Sequence, residues 1–281
     1  MSGAPFLPAF LEVVRPGARP RATAIVVHGI LGSASNWRSF VRRLVDASDE
    51  AGALRWILVD LRGHGESTLQ PAPAPHTIAA CAADLARLGV HLGTDIDLVL
   101  GHSFGGKVAL ELAQHHSPAT RAAWFLDTPP GPQMIAGGAP NDEIAVVFEA
   151  ILALAEPLPG RAEVAAHFIA HGLSEGLAQW MTTNLRGSAE AGYRWKFDLP
   201  IVRELVADYA RLDLWPIVES PRPGLVVRGV RGGGSNRFSE DERARMDRAQ
   251  ALVIPEAGHW LHVDAPAALA EVFSEAARSV R

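Results

Sequence analysis

The chain contains one cysteine, Cys81, which excludes an internal disulfide. Cys81 lies in an Ala-rich helical stretch and reads as a small core residue. Positive charge is not in excess: the formal net charge is -5, so the overall field does not favour nucleic acid or anionic membrane. No apolar run approaches the roughly 18 residues that span a bilayer. The opening residues, Met1-Ser-Gly-Ala-Pro-Phe-Leu-Pro8, have no basic segment and carry two prolines. A secretory leader is therefore not expected, and a cytoplasmic location is. Internal repeats and low-complexity tracts are missing. No histidine and carboxylate cluster has metal-ligand spacing, and Gly232-Gly-Gly234 lacks the Gly-Lys-Ser/Thr ending of a phosphate loop. Neither a metal nor an organic cofactor is expected. What the chain has is 48% hydrophobic against 20% charged residues over 281 positions, which suits a globular chain with a full core, either one large α/β domain or one domain carrying an insertion.

Short apolar runs alternate with helical patterns. Strands are expected at Ala24–Val27, Trp56–Val59, Leu98–Leu100 and Ala122–Leu126, with helices at Trp37–Val45, Ile78–Leu88 and Gly106–His115. Continuously apolar strands of this length are those of a parallel sheet buried on both faces. The alternation predicts an α/β fold, a doubly wound, mostly parallel sheet. Phe10–Val14 is expected as an antiparallel edge strand. After Leu126 the rhythm breaks. Thr128-Pro-Pro-Gly-Pro132 and Gly137-Gly-Ala-Pro140 read as a linker, and helices are expected near 141–156, 161–171, 174–186 and 200–215. Strands return at 224–228 and 251–254, with helices from about 240 and from Pro266. The division expected is a core of residues 1–130 and 216–281 and a helical insertion at 131–215.

The run Gly101-His-Ser-Phe-Gly-Gly-Lys107 lies between a strand and a helix. It is G-x-S-x-G in the context that gives it meaning: a turn too tight for side chains beside the serine lifts Ser103 above the sheet at a helix N-terminus. Ser103 is the candidate nucleophile, and a serine hydroxyl needs a base. His259, in Gly258-His-Trp260, follows a strand end, where ligands of open α/β sheets bind. An acid must orient the imidazole, in the chain order Ser, acid, His. Asp127, at the end of strand 122–126, is chosen. The loop after strand 224–228 has no carboxylate, and Glu240, Asp241 and Glu242 read as helix-start residues behind a Ser239–Glu242 capping box. The oxyanion donors expected are the amides of Phe104 and Ile30, with Leu31 as competitor for the second. Within Asp60-Leu-Arg-Gly-His-Gly-Glu-Ser67, His64 reads as structural, with Asp60 paired to Arg62 and glycines permitting the turn.

Taken in order, His28-Gly29, Asp60-x-Arg62-Gly-His64-Gly-x-Ser67, Gly101-His-Ser103-Phe-Gly-Gly106 and Gly258-His259-Trp260 resemble the α/β-hydrolase superfamily. The chain looks similar to small bacterial acyl esterases and to mitochondrial abhydrolase-domain hydrolases. Thr183-Asn-Leu185 and the aromatic, strand-like Tyr193–Phe197 match the cap of that branch. The resemblance implies an α/β-hydrolase fold with a helical cap inserted after strand six. It also implies the acid at Asp127 and an auxiliary serine at Ser235, although this chain reads Gly-Gly-Gly-Ser-Asn where the branch has Gly-Gly-Asn-Ser. The function expected is a carboxylesterase-type serine hydrolase acting on a small-molecule ester of a small or medium apolar acyl group. Leu31, Phe148, Phe168, Trp180, Trp195 and Trp260 are candidate pocket walls. The alternatives are a carbon–carbon bond hydrolase, lactonase or cofactor-free haloperoxidase on the same triad, and a non-catalytic binding protein on the same scaffold. An epoxide hydrolase or dehalogenase is disfavoured, because those place a carboxylate where Ser103 stands.

Overall fold

Every residue of β2 (Ala22–Val27), β4 (Leu98–His102) and β5 (Ala122–Leu126) is buried. Helices cover both faces, so these strands carry no polar alternation. The computed structural model describes residues 5–133 and 143–280. With β1 (Phe10–Val13), β3 (Leu54–Val59), β8 (Val226–Gly232) and β9 (Leu252–Ile254), they form a seven-stranded sheet in the order β1-β3-β2-β4-β5-β8-β9. β1 pairs antiparallel with β3, as expected of an edge strand, and the other pairings are parallel. One face is covered by helices Ala34–Ala47 and Pro266–Arg278 through Trp37, Phe40, Leu44, Leu269 and Phe273. Helices Ile78–His91 and Phe104–Glu111 cover the other through Ile78, Cys81, Leu85 and Val108. Cys81 is a buried core thiol.

The expected strand at 224–228 is displaced: β8 runs from Val226 to Gly232, so its glycines belong to the strand. A Cβ on Gly229 would stand 2.7 Å from Phe125 and Met246, and one on Gly232 would stand 2.2 Å from the Gly258 carbonyl. Glycine therefore permits the close packing of β8 against its neighbours.

Between β5 and β8 the chain adds helices Glu143–Leu152, Arg161–Ala170, Glu175–Thr182 and Leu199–Arg211. The expected helix at 174–186 stops at Thr182, and β6 (Leu185–Ser188) pairs antiparallel with β7 (Gly192–Trp195). Gly187 at φ 129° and Gly192 at φ 75° lie in the two strands beside the turn, with a backbone that no helix could contain. The insertion is thus helical plus one hairpin, and it follows the fifth strand of this chain, the sixth in the family's count. It has an apolar core of its own, including Phe168, Ala178, Met181 and Leu185. The linker residues Gly137–Pro140 and the expected helix start near 141 lie outside the described residues. Lys107, fully buried on helix Phe104–Glu111, reaches both ends of the insertion. Its Nζ donates to the carbonyls of Gly131 (2.8 Å), Tyr209 (2.8 Å) and Leu212 (2.6 Å).

Candidate active site

The carboxyl ends of the parallel strands gather the candidate residues on one edge of the sheet. β4 ends at His102, and Ser103 turns the chain into its helix with φ 53° and ψ −120°. A non-glycine residue in this region costs on the order of 1–3 kcal/mol. The surroundings over-determine it: a Cβ on Gly101 would lie 1.9 Å from the Gly105 carbonyl oxygen, and one on Gly105 would lie 2.6 Å from the Val27 and His28 carbonyl oxygens. The Ser103 amide donates to Leu126 (2.9 Å), and Thr128 Oγ1 donates to the Ser103 carbonyl (2.8 Å).

Asp127 follows β5 directly, is fully buried and also has positive φ, 45°. Its Oδ1 accepts from the Gly232 amide (2.9 Å). Its Oδ2 accepts from Ser235 Oγ (2.6 Å) and from His259 Nδ1 (2.7 Å). His259 therefore carries its proton on Nδ1, and Nε2 is left as the basic nitrogen. His102 Nε2 donates to the His259 carbonyl (2.9 Å) and supports the loop from below. Burial, and then the neighbouring His259 and His262, hold His102 well below the usual imidazole range. His262 is lowered to about 4, chiefly by burial. Ser103 Oγ makes no hydrogen bond to His259 here, though both line the same cavity. Glu240, Asp241 and Glu242 start a helix, with Ser239 and Glu242 in the expected capping box.

The loop after β2 runs beside Ser103: a Cβ on Gly29 would stand 3.3 Å from Ser103 Cβ. The two competing amides of that loop are separated by their partners. The Leu31 amide donates to His64 Nε2 at 3.1 Å, whereas the Ile30 and Phe104 amides have no acceptor among the described residues. Ile30 and Phe104 both line the cavity, as do Leu31, Trp180 and Trp260. Three expected walls do not. Phe168 is fully buried within the insertion's core, Trp195 stacks on Phe197 with centroids 4.9 Å apart, and Phe148 packs against the same core. The apolar wall is instead supplied by Ile144, Val147, Leu177, Val206 and Tyr209. Helical patterning marks an apolar face but not which apolar side chains border a cavity.

The expected Asp60–Arg62 pair is not formed. Arg62 makes a buried two-point ion pair with Asp84, with Nε–Oδ2 2.7 Å and Nη2–Oδ1 3.0 Å. The Asp60 carboxylate instead accepts from the amides of Ala34 (2.7 Å) and Glu66 (2.9 Å), joining two loops beside the site.

Residues 24–272 match the model of a family described as "Alpha/beta hydrolase family". The chain belongs to that family. Among curated relatives, this α/β hydrolase is 28% identical to esterase YbfF of Escherichia coli over 87% of the chain and 89% of that protein. It is 27% identical to the sn-1-specific diacylglycerol lipase ABHD11 of mouse, over 86% of the chain and 76% of that protein. Among solved structures, a marine microorganism esterase superimposes with a TM-score of 0.78 at 20% identity, covering 96% of this chain and 99% of the other. Among the described residues, no helix is long and apolar enough to cross a membrane.

Proposed function

We propose that this hydrolase is a serine esterase that cleaves small-molecule carboxylic esters through an acyl-enzyme. Ser103 Oγ attacks the ester carbonyl while His259 Nε2 takes its proton. Asp127 holds the Nδ1–H tautomer and stabilises the imidazolium, with Ser235 as a fourth member of the hydrogen-bonded set. The Ile30 and Phe104 amides receive the negative charge on the carbonyl oxygen. His259 then gives its proton to the leaving alcohol and next activates the water that releases the acid. Residues 131–215 act as a cap over the core of 1–130 and 216–281. The apolar lining from Val147, Leu177 and Val206 supports a small or medium apolar acyl group. The observation that carries this reading is the 2.7 Å His259–Asp127 bond at the cavity that Ser103 enters from a strained turn. The names of the relatives, esterases and lipases, support an ester substrate.

The test is turnover of p-nitrophenyl butyrate together with fluorophosphonate labelling. The wild type is expected to turn over and to be labelled at Ser103. Ser103→Ala should lose both while keeping its circular-dichroism spectrum. Wild-type activity in that variant would overturn the proposal.

A further inference from the structure

His28 and His64 are buried beside the oxyanion loop and lie outside the reaction steps above. Their rings face each other at 5.0 Å, and each bonds to the other's loop. His28 Nδ1 donates to the Gly29 carbonyl (2.7 Å), and its Nε2 accepts the Leu61 amide (3.1 Å). His64 Nδ1 donates to the Arg62 carbonyl (3.0 Å), and its Nε2 accepts the Leu31 amide (3.1 Å). Both patterns require the neutral Nδ1–H tautomer, since an N–H on Nε2 would oppose the backbone N–H it now accepts.

The consequence falls on Ile30. The Gly29 carbonyl and the Ile30 amide belong to one planar trans peptide, so they point in opposite directions. That carbonyl is held by His28 and by the Gly32 amide (3.0 Å), which turns the Ile30 N–H the other way. The next peptide carries the Leu31 N–H, held by His64. Leu31 has φ 59°, a left-handed conformation unfavourable for a leucine, and the His64 bond helps to hold it. Both peptides flanking Ile30 are thus each fixed by an imidazole.

We infer that His28 and His64 are positioning residues that preorganise the oxyanion hole by locking the peptides on either side of Ile30. The inference rests on the proposed esterase reading. Burial lowers His28 to about 4 and His64 to about 3, with the facing His28 a further cause for His64, so both rings are neutral at pH 7. The insertion also rests on this lock: the Asp198 amide donates to the Gly63 carbonyl (2.9 Å), and His64 forms a bridge with Phe197.

Donors fixed before charge develops stabilise the transition state and leave ground-state binding nearly untouched. The experiment compares His64→Leu, His64→Gln, His28→Leu and His28→Asn with wild type on p-nitrophenyl butyrate and on a trifluoromethyl ketone, which forms a tetrahedral adduct. Gln can present an acceptor near the position of His64 Nε2, and Asn a donor near that of His28 Nδ1. The leucine variants are expected to lose about 10²-fold in kcat with KM within about threefold, and to bind the ketone weaker by a similar factor. The Gln and Asn variants should recover about tenfold of that loss. Folding is checked by thermal denaturation, and where a leucine variant does not fold, the Gln and Asn variants decide. Gln and Asn variants that fold and fall to no measurable turnover would overturn the inference, as would leucine variants that keep wild-type kcat and ketone affinity. So would losses confined to KM. A wild type with neither turnover nor ketone inhibition would instead overturn the esterase reading. Imidazole 15N shifts at pH 7 are expected to show both rings as Nδ1–H, and protonated Nε2 on either would also overturn the lock.

Discussion

A fully buried carboxylate with its hydrogen-bond sites already occupied leaves little freedom for substitution, and Asp127 is such a group. Asn in its place has two placements. With its amide nitrogen toward His259, it donates to Nδ1 and forces the proton to Nε2, where the ring can no longer act as base. With the nitrogen on the other side, it opposes the Gly232 N–H. Asp127→Asn is therefore expected to lower kcat by about 10²–10⁴ with the fold retained. Glu240→Gln and Asp241→Asn, at the exposed start of a helix, should stay within about twofold. Steady-state kinetics on one ester compares all three, and a larger loss at Glu240 or Asp241 would refute the assignment. Ser235, identified only through the resemblance, contributes one bond to a carboxylate that has two other donors. Ser235→Ala should accordingly cost far less turnover than Asp127→Asn.

At the scale of elements, helix Phe104–Glu111 does more than present Phe104. Its Lys107 ammonium has three carbonyl acceptors and lies 4.3 Å from the Tyr209 ring centroid, and Tyr209 stacks on Phe104 at 5.7 Å. The cation thus ties both ends of the insertion to the helix that follows Ser103. Lys107→Met would fill much of the same space and leave those carbonyls without their donor, each on the order of 1–3 kcal/mol when buried. Relief from burying a charge offsets part of that. A net loss of about 2–4 kcal/mol is expected, read as a lower urea midpoint, with faster limited proteolysis within 131–215. A variant as stable and as protease-resistant as wild type would remove this role.

For the whole molecule, buried neutral histidines link stability to pH. His28, His64 and His262 have folded values of about 4, 3 and 4, below the ordinary 6.5, and His102 is shifted the same way. Between about pH 4 and 6.5 the unfolded chain binds protons that the folded chain does not, so unfolding gains on acidification. Their contribution is fully present above about pH 6.5 and is lost as pH falls toward 4. At pH 5 His28 and His64 would each account for a loss on the order of 1–2 kcal/mol. Thermal denaturation at constant ionic strength should give a Tm that drops steeply from pH 7 to 5. A Tm flat across that range would contradict the burial of these rings as neutral groups.

The strained strand-to-helix turn that carries Ser103 was legible in the sequence because it is local. G-x-S-x-G at Ser103 needs only its own strand, turn and helix, and apolar periodicity marks the strands whose ends hold Asp127 and His259. The short apolar run at Phe10–Val14 is likewise found as the expected antiparallel edge strand. The decisions that depended on long-range packing were not legible. Whether Arg62 meets Asp60 or Asp84, which of the Ile30 and Leu31 amides is left without an acceptor, and which aromatic residues of the insertion border the cavity are set by elements far apart in the chain. His64 shows the difference best. Sequence reasoning gave it a turn-forming place, and only tertiary packing brings its Nε2 to the Leu31 amide, 33 residues away.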